Sequence, residues 1–279
     1  MQVLPFTIPK PRNERIIHQI DDEPFFYGEL HRHDEIQLSH IVKGEGQLIV
    51  GDKIERYEKG DVFLIGSKTP HVFRSDSNSD RSLMHTLFFH ETLFPFEFQE
   101  EASFKLVLQN CQPGFACKIS GPENLKVLLA KIPTSNIDAF NQLFNIAQEL
   151  DGSTLEALSS ELSEYTENEG ERMQRVMRFT LDNFRKTIRL EEVANVASMT
   201  KNAFCKYFKK RTNKTYFTFL SELRIEEAAS LLIRAPEKSI FAISEEVGYS
   251  NLSNFNRQFK SIKQRTPREY RELLIKSLP

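Results

Sequence analysis

The spacing of apolar and polar positions changes period once along the chain. From about Phe25 to Glu91, short runs such as "IQLSHIV", "GQLIVGD", "DVFLIG" and "SLMHTLFF" alternate apolar with polar residues, and Gly28, Gly44, Gly46, Gly51, Gly60 and Gly66 fall between them at the spacing of turns. This predicts a small antiparallel sheet closed into a barrel or sandwich. No period is legible between Pro95 and Gly121. After Gly121, "PENLKVLLAKI" and "NIDAFNQLFNIAQEL" place Leu, Ile and Phe at three- and four-residue steps with the breaker Pro133 between them, which predicts helices. "DGSTLEALSSELSEYTENEG" is polar, acidic and Ser-rich, and reads as a linker centred on Ser160 to Gly170.

From Glu171 onward the period is helical throughout. "ERMQRVMRFTLDNF" carries an apolar stripe at Met173, Val176, Met177 and Leu181, "RLEEVANVAS" reads as a short helix, and after a turn at Ser198 and Met199 a further helix starts with Thr200 as its cap. A long helix over about Thr215 to Ile233 leads to Pro236, and the unit of short helix, turn and second helix then recurs as "IFAISEEVGYS" and "NLSNFNRQFKS". Val193, Ala194 and Ala197 precede Ile243, Ser244 and Val247 by 50 positions, whereas Phe208 and Lys209 precede Phe259 and Lys260 by 51. The second copy therefore has one extra residue between Gly248 and Phe255. This half is two copies of one helical unit joined by a helix.

Charge sharpens the division. The chain has 279 residues, more than one ordinary domain, and a formal net charge of -2. Residues 171–279 hold 22 Lys and Arg against 12 Asp and Glu, while residues 1–170 hold 15 against 27. The basic half suits a polyanion and the acidic half does not. The densest basic stretch, "KNAFCKYFKKRTNK" from Lys201 to Lys214, is the second helix of the first unit. In a helix-turn-helix the first helix crosses the second, and the second lies in the major groove of DNA, so it needs one apolar and one polar, cationic face. Helical spacing turns Phe204 and Phe208 inward with Tyr207 beside them, and Asn202, Cys205, Lys206 and Lys209 outward. In the second copy Phe255 and Phe259 point inward, and Leu252, Ser253, Asn256, Arg257 and Lys260 outward. Lys and Arg suit phosphates; Asn and Arg can make bidentate hydrogen bonds to adenine and guanine edges. A single cationic amphipathic helix is more often a solvated face than a groove reader. Two copies, each behind a short helix and turn, favour groove reading, with the four Phe residues as core.

"RIEEAASLLI", "ISEEVGYSNLSNFNRQFK" and "TPREYRELL" resemble the signature of the AraC/XylS-type transcription regulators, over about Arg172 to Leu274, with Arg224, Gly248, Phe259, Lys260, Pro267, Tyr270 and Arg271 in register. The resemblance implies that Asn202, Cys205 and Lys206 face bases from the first unit and Leu252, Ser253, Asn256 and Arg257 from the second, with Lys201, Lys209, Lys210 and Lys260 on phosphates. Two positions depart from the family pattern: Ser244 stands where Ala is usual in the packed short helix, and Asn213 where Gly usually ends the first recognition helix, a position Asn tolerates.

In the first half, "HRHDEIQLSHIVKGEG" and "YEKGDVFLIGSKTPHVF" resemble the two motifs of the cupin barrel, the effector domain of many such regulators. On a strand His31, His33, Glu35 and Gln37 share one face, and His71, from a neighbouring strand, can join them inside the barrel. Such imidazoles could hold a metal, making His31, His33 and His71 weak metal candidates. Gln37, however, stands where metal cupins commonly carry Glu, and is a poorer ligand. The expectation is no metal and no cofactor, with His31, His33, Gln37 and His71 in an effector pocket among aromatics such as Phe63 and Phe73, the alternative being purely structural histidines. A sugar is one candidate effector. His18, His40, His85 and His90 are left unplaced.

The expected fold is multidomain α and β. Residues 1–160 form a cupin-like β-barrel with added helices that binds an effector and dimerises, 161–170 form a linker, and 171–279 form an all-α domain of two helix-turn-helix units on a linker helix. The expected partners are double-stranded DNA, a small-molecule effector, a second copy of the chain and, for an activator, RNA polymerase. The helices at 125–129 and 140–150 could dimerise or cover the barrel. No secretory signal or membrane span is legible, and Cys111, Cys117 and Cys205, odd in number and without C-x-x-C spacing, suit a reducing cytoplasm. Two rival readings are a metal-dependent cupin enzyme with a helical appendage and a helical protein-interaction module. Gln37 opposes the first, and the basic half is unexplained by the second.

Overall fold

The structure is a computed structural model and describes residues 15–26, 28–51, 53–76, 81–93, 112–121, 123–131, 133, 135–158 and 167–277. Two compact units divide at Glu167 and Asn168. Cys111 and most of the stretch without a legible period lie outside the described residues.

Among the described residues of the first unit, nine antiparallel strands form two sheets. The larger comprises β1 (Ile16–Glu23), β7 (Ser82–Phe89), β2 (Ile36–Lys43), β5 (Val62–Ile65), β8 (Ala116–Ser120) and β9 (Thr154–Ala157), in that spatial order. The smaller comprises β4 (Lys53–Tyr57), β3 (Gly46–Val50) and β6 (His71–Ser75). Two helices follow β8 and precede β9: α1 (Glu123–Ala130) and α2 (Asn136–Asp151).

The alternation along β2 explains the layering. Ile36 and Leu38 join Leu64, Leu87 and Ile119 in an apolar layer against Leu125 and Leu129 of α1 and Leu143 and Ile146 of α2. Ile41 belongs to the opposite layer, with Leu48, Tyr57, Phe63, Phe73 and Met84 between the two sheets. Both faces of β2 are thus covered, and Ile36 to Ile41 are all buried. Of the two roles open to α1 and α2, their apolar faces cover the barrel, leaving Val127 and Ile137 exposed. At Gly46 the sheets leave no room for a side chain: a Cβ there would stand 2.0 Å from the Arg74 carbonyl oxygen.

The second unit is helical: α3 (Glu167–Asn183), α4 (Leu190–Val196), α5 (Lys201–Thr212), α6 (Tyr216–Arg234), α7 (Ile240–Glu246), α8 (Leu252–Lys263) and α9 (Pro267–Ser277). Helix α3 begins inside the segment 161–170 expected to be linker. An acidic sequence suits a first helical turn, where the unpaired N–H groups favour negative charge. The remaining linker positions, 161–166, lie outside the described residues.

Candidate functional site

The repeat read from the sequence is a repeat of structure. In the first copy four residues, 197–200, separate α4 from α5; in the second five, 247–251, separate α7 from α8. The extra residue therefore lies in the turn. Each turn passes through the left-handed region one residue after its start, at Ser198 (φ 53°) and Gly248 (φ 91°). Side chains then cap the second helices: Thr200 Oγ1 accepts from the Ala203 N–H at 3.3 Å, and Asn251 Oδ1 from the Asn254 N–H at 3.0 Å. Both helices end on a left-handed residue, Asn213 (φ 54°) and Gln264 (φ 58°).

The inward faces are aromatic. Phe204, Phe208, Phe255 and Phe259 are fully buried, each contributing roughly 1.5–3 kcal/mol through burial. Phe208 packs edge-on to Tyr216, the first residue of α6, at 5.4 Å, and Phe259 edge-on to Tyr270 of α9 at 5.5 Å. These contacts leave the opposite faces to solvent. Asn202, Cys205, Lys206, Lys209 and Lys210 are exposed on α5, and Ser253, Asn256, Arg257 and Lys260 on α8. Leu252 differs from the others: it is half buried and packs on the apolar cluster of its unit, because it opens α8 beside Ile243 and Tyr249. Lys201 is engaged, its ammonium 2.6 Å from the Glu191 carboxylate of α4. Ser244, buried, satisfies its hydroxyl on the Phe241 carbonyl at 2.7 Å.

One loop ties the two copies to a common frame. Arg224 on α6 donates from Nε to the Phe184 carbonyl and from Nη2 to the Lys186 carbonyl, both at 2.7 Å, so it caps the end of α3. Gly248 packs against the same loop, at Phe184 and Arg185.

In the first unit His31, His33 and His71 converge, with one ring nitrogen from each lying within 4.8 Å of the others. The route differs from the expectation, since β2 begins only at Ile36. His31 forms an isolated bridge with His71, and the chain from 32 to 35 is irregular. Glu35 accordingly leaves the cluster: its main-chain carbonyl accepts from His33 Nδ1 at 2.9 Å, and its carboxylate lies 3.8 Å from that nitrogen.

Each ring is fixed in the same way. His31 Nδ1 meets the Glu29 carbonyl at 2.8 Å, His33 Nδ1 the Glu35 carbonyl, and His71 Nδ1 the Thr69 carbonyl at 2.8 Å. Carbonyls only accept, so Nδ1 carries the hydrogen. Burial pushes all three pKa values down, that of His31 to about 3, so the rings are neutral and Nε2 keeps its lone pair. The Gln37 carboxamide lies 2.9 Å from His33 Nε2, from His71 Nε2 and from Ser39 Oγ, which continues to Thr86. Two lone pairs require the amide NH2, with its two donors. A half-turn exchanging the Gln37 nitrogen and oxygen supplies it, and the carbonyl then accepts from Ser39. A metal would need the lone pairs this amide occupies, and would gain no carboxylate in return. The cluster forms a neutral hydrogen-bonded network, and its three ring nitrogens also lie close enough together to hold a metal ion.

Beside it lies a cavity of about 120 Å3 lined by Gln19, Asp21, Phe26, His31, Gln37, Phe73, Met84 and Phe88. Of the four residues expected to form a pocket, His31 and Gln37 reach it; His33 and His71 stand behind, held by Gln37. Sequence reasoning missed Gln19 and Asp21. Their signal was the alternation of "IIHQIDDE", which puts Ile17, Gln19 and Asp21 on one face of β1. The histidines left unplaced fall on the outer face of the sheet: His40 pairs across strands with His85, and His18 Nε2 lies 3.0 Å from the Leu129 carbonyl of α1. His90 is exposed beyond the end of β7, 3.0 Å from Thr92 Oγ1.

Comparison with known proteins matches residues 193–273 to a helix-turn-helix domain family and residues 22–87 to a cupin domain family. The chain is 24% identical over 259 residues to the uncharacterised HTH-type transcriptional regulator YdeC of Bacillus subtilis, covering 88% of this chain and 87% of that one. It is 27% identical over 260 residues to an uncharacterised HTH-type transcriptional regulator of Haemophilus influenzae, covering 84% and 86%. Among solved structures it is similar to ToxT of Vibrio cholerae, with 12% identity, a TM-score of 0.38, and coverage of 92% of this chain and 98% of that one.

Proposed function

We propose that this chain is an AraC-type transcription regulator with an N-terminal cupin domain, which reads operator DNA through α5 and α8 under control of a small molecule held in the barrel. The observation that carries the reading is the duplicated pair of Phe-backed helices, each exposing polar and cationic side chains behind a short helix and a turn. Helix α5 presents Lys209 and Lys210, with Lys201 at its start, toward phosphate, and Asn202, Cys205 and Lys206 toward base edges. Helix α8 presents Ser253, Asn256 and Arg257, a face richer in groups that discriminate bases, with Lys260 toward phosphate and Leu252 at its margin. The first unit thus supplies more of the affinity and the second more of the specificity.

His31 and Gln37 at the cavity, braced by His33 and His71, form the polar side of the effector pocket. Ligand binding shifts the population between DNA-competent and incompetent arrangements of a homodimer, which requires differential affinity for the two. Two copies would read two half-sites. In the activating case RNA polymerase is the further partner. The buried Cys117 and exposed Cys205 are free thiols, and no described helix is long and apolar enough to cross a membrane. Both suit action on cytoplasmic DNA. The relatives are named as transcriptional regulators, which separates this reading from a cupin enzyme and from a protein-interaction module.

The test is a salt titration of binding to genomic operator fragments recovered with the protein. Four phosphate contacts per copy, from Lys201, Lys209, Lys210 and Lys260, give a slope of log K against log salt of about -3.6 for one bound copy and about -7.2 for the dimer. A slope near zero would refute groove binding.

A further inference from the structure

We propose that the barrel ligand is a small organic cation whose ammonium group meets the Asp21 carboxylate. This rests on the reading of the cupin barrel as the effector site, and adds the chemical class of the effector.

Asp21 is the one charged group among the described residues that line the cavity. Among the described residues its hydrogen-bond partner is the neutral Gln19 amide, which donates from Nε2 to Oδ1 at 2.7 Å. Partial burial raises the Asp21 pKa, the Gln19 hydrogen bond opposes that shift, and the like charge of Glu23 adds to it. A half-buried carboxylate facing a cavity with no cation beside it is an uncompensated charge, and a ligand cation supplies what is lacking. The neighbouring Asp22 shows the contrast: it pairs with Arg81 on the other face of β1, its Oδ2 accepting from Nη2 at 2.8 Å.

The rest of the lining selects among cations. Phe26, Phe73, Met84 and Phe88 form the walls, a poor substitute for the water around a hydrated metal ion but a good surface for an alkylammonium, which aromatic faces attract. An anion finds no Lys or Arg in the lining and a carboxylate that repels it. The volume of about 120 Å3 is somewhat below the roughly 150 Å3 that holds a benzene ring, so the enclosed part of the ligand has about six non-hydrogen atoms. A hexose is roughly twice that size. Its hydroxyls, distributed all round, would also meet Phe and Met walls without partners. The polar groups lie to one side only, which suits a molecule with one charged head: Asp21 and Gln19 for the ammonium, and the His31 and Gln37 side for a second polar group.

The experiment is calorimetric titration of the full chain with chloride salts of ethylammonium and choline, and with potassium acetate and D-glucose. Asp21→Asn is titrated alongside, its folding verified by an unchanged melting temperature. An ammonium salt should bind, acetate and glucose should not, and Asp21→Asn should weaken binding by about tenfold to a hundredfold. The unmodified protein gives an independent readout: affinity for the ammonium should fall as pH drops through the raised pKa of Asp21. Failure of both ammonium salts to bind, or equal binding to Asp21→Asn with no pH dependence, overturns the assignment. Binding of glucose or acetate instead overturns it while leaving the barrel as effector site. Conversely, Asp21-dependent binding of an ammonium that leaves operator affinity unchanged keeps the site and removes the effector reading.

Discussion

Replacing Gly248 by Ala tests whether the loop after α3 is the frame on which the second unit is built. At φ 91° an L-residue is strained by about 1–3 kcal/mol. The new Cβ would stand 2.8 Å from the Phe184 carbonyl oxygen and 2.9 Å from both the carbonyl carbon and oxygen of Arg185, all backbone atoms that cannot rotate away. Relieving that overlap moves the same loop that accepts the two Arg224 hydrogen bonds, adding about 1 kcal/mol for each that is weakened. Against this, Ala lowers the entropy of the unfolded chain and returns about 0.4–1 kcal/mol. The net destabilisation is about 2–3 kcal/mol, or about 10 °C in the melting temperature of a unit of this size. The chain has no Trp, so far-ultraviolet circular dichroism, dominated by the helical unit, is the suitable probe. Gly28→Ala is the control: its Cβ would meet only the Phe26 carbonyl, at 4.0 Å, and the change should stay within about 0.5 kcal/mol. If Gly248→Ala proved as harmless as Gly28→Ala, the second turn would not bear on the loop as the distances require.

Replacing Lys209 by Ala should weaken binding to every duplex alike and reduce the salt slope by about 0.9, measured by mobility shift at several salt concentrations. Arg257→Ala should also cost about 1–3 kcal/mol of discrimination at one or two operator positions, seen by comparing single-base variants of the site; uniform weakening would assign Arg257 to phosphate instead. The histidine cluster gives a pH dependence. The folded pKa values of His31, His33 and His71 lie below the ordinary value of about 6.5, so the unfolded chain binds more protons and stability falls as pH drops. For His31 the loss runs from about pH 6.5 toward about pH 3, at up to about 1.4 kcal/mol per pH unit, and His31→Gln should flatten that slope in urea unfolding curves.

The helical half was legible nearly to the residue because its determinants are local. Thr200 caps α5 where the sequence places it, Asn213 takes the left-handed position its side chain permits, and the 50-to-51 step in the repeat locates the extra residue of the second turn. The first half was legible only in outline, because its site is made by chain segments far apart. His31, itself outside any strand, reaches His71 of β6 through an isolated bridge, and Asp21 enters the cavity from β1, beside Met84 of β7. Only the pairing of β1 with β7 brings them together, and that pairing closes a loop of about sixty residues that no local pattern records.

The two sets of barrel histidines show how far a strand's period alone can carry assignment. Along β2, Gln37 and Ser39 face the space between the sheets, so His40, one step out of phase, must face the helices. His85, opposite His40 on β7, goes with it, while Thr86 turns inward to Ser39. The ring that turns inward finds carbonyls, an amide and a cavity; the ring that turns outward finds α1, whose Lys126 and Glu123 act on His40, and the buried Nδ1 atoms of His40 and His85 make no hydrogen bond. Parity decides the face, and the covering layer decides the chemistry available there. In β2 a polar residue at an odd position is therefore placed toward the space between the sheets, and one at an even position toward the helices above it.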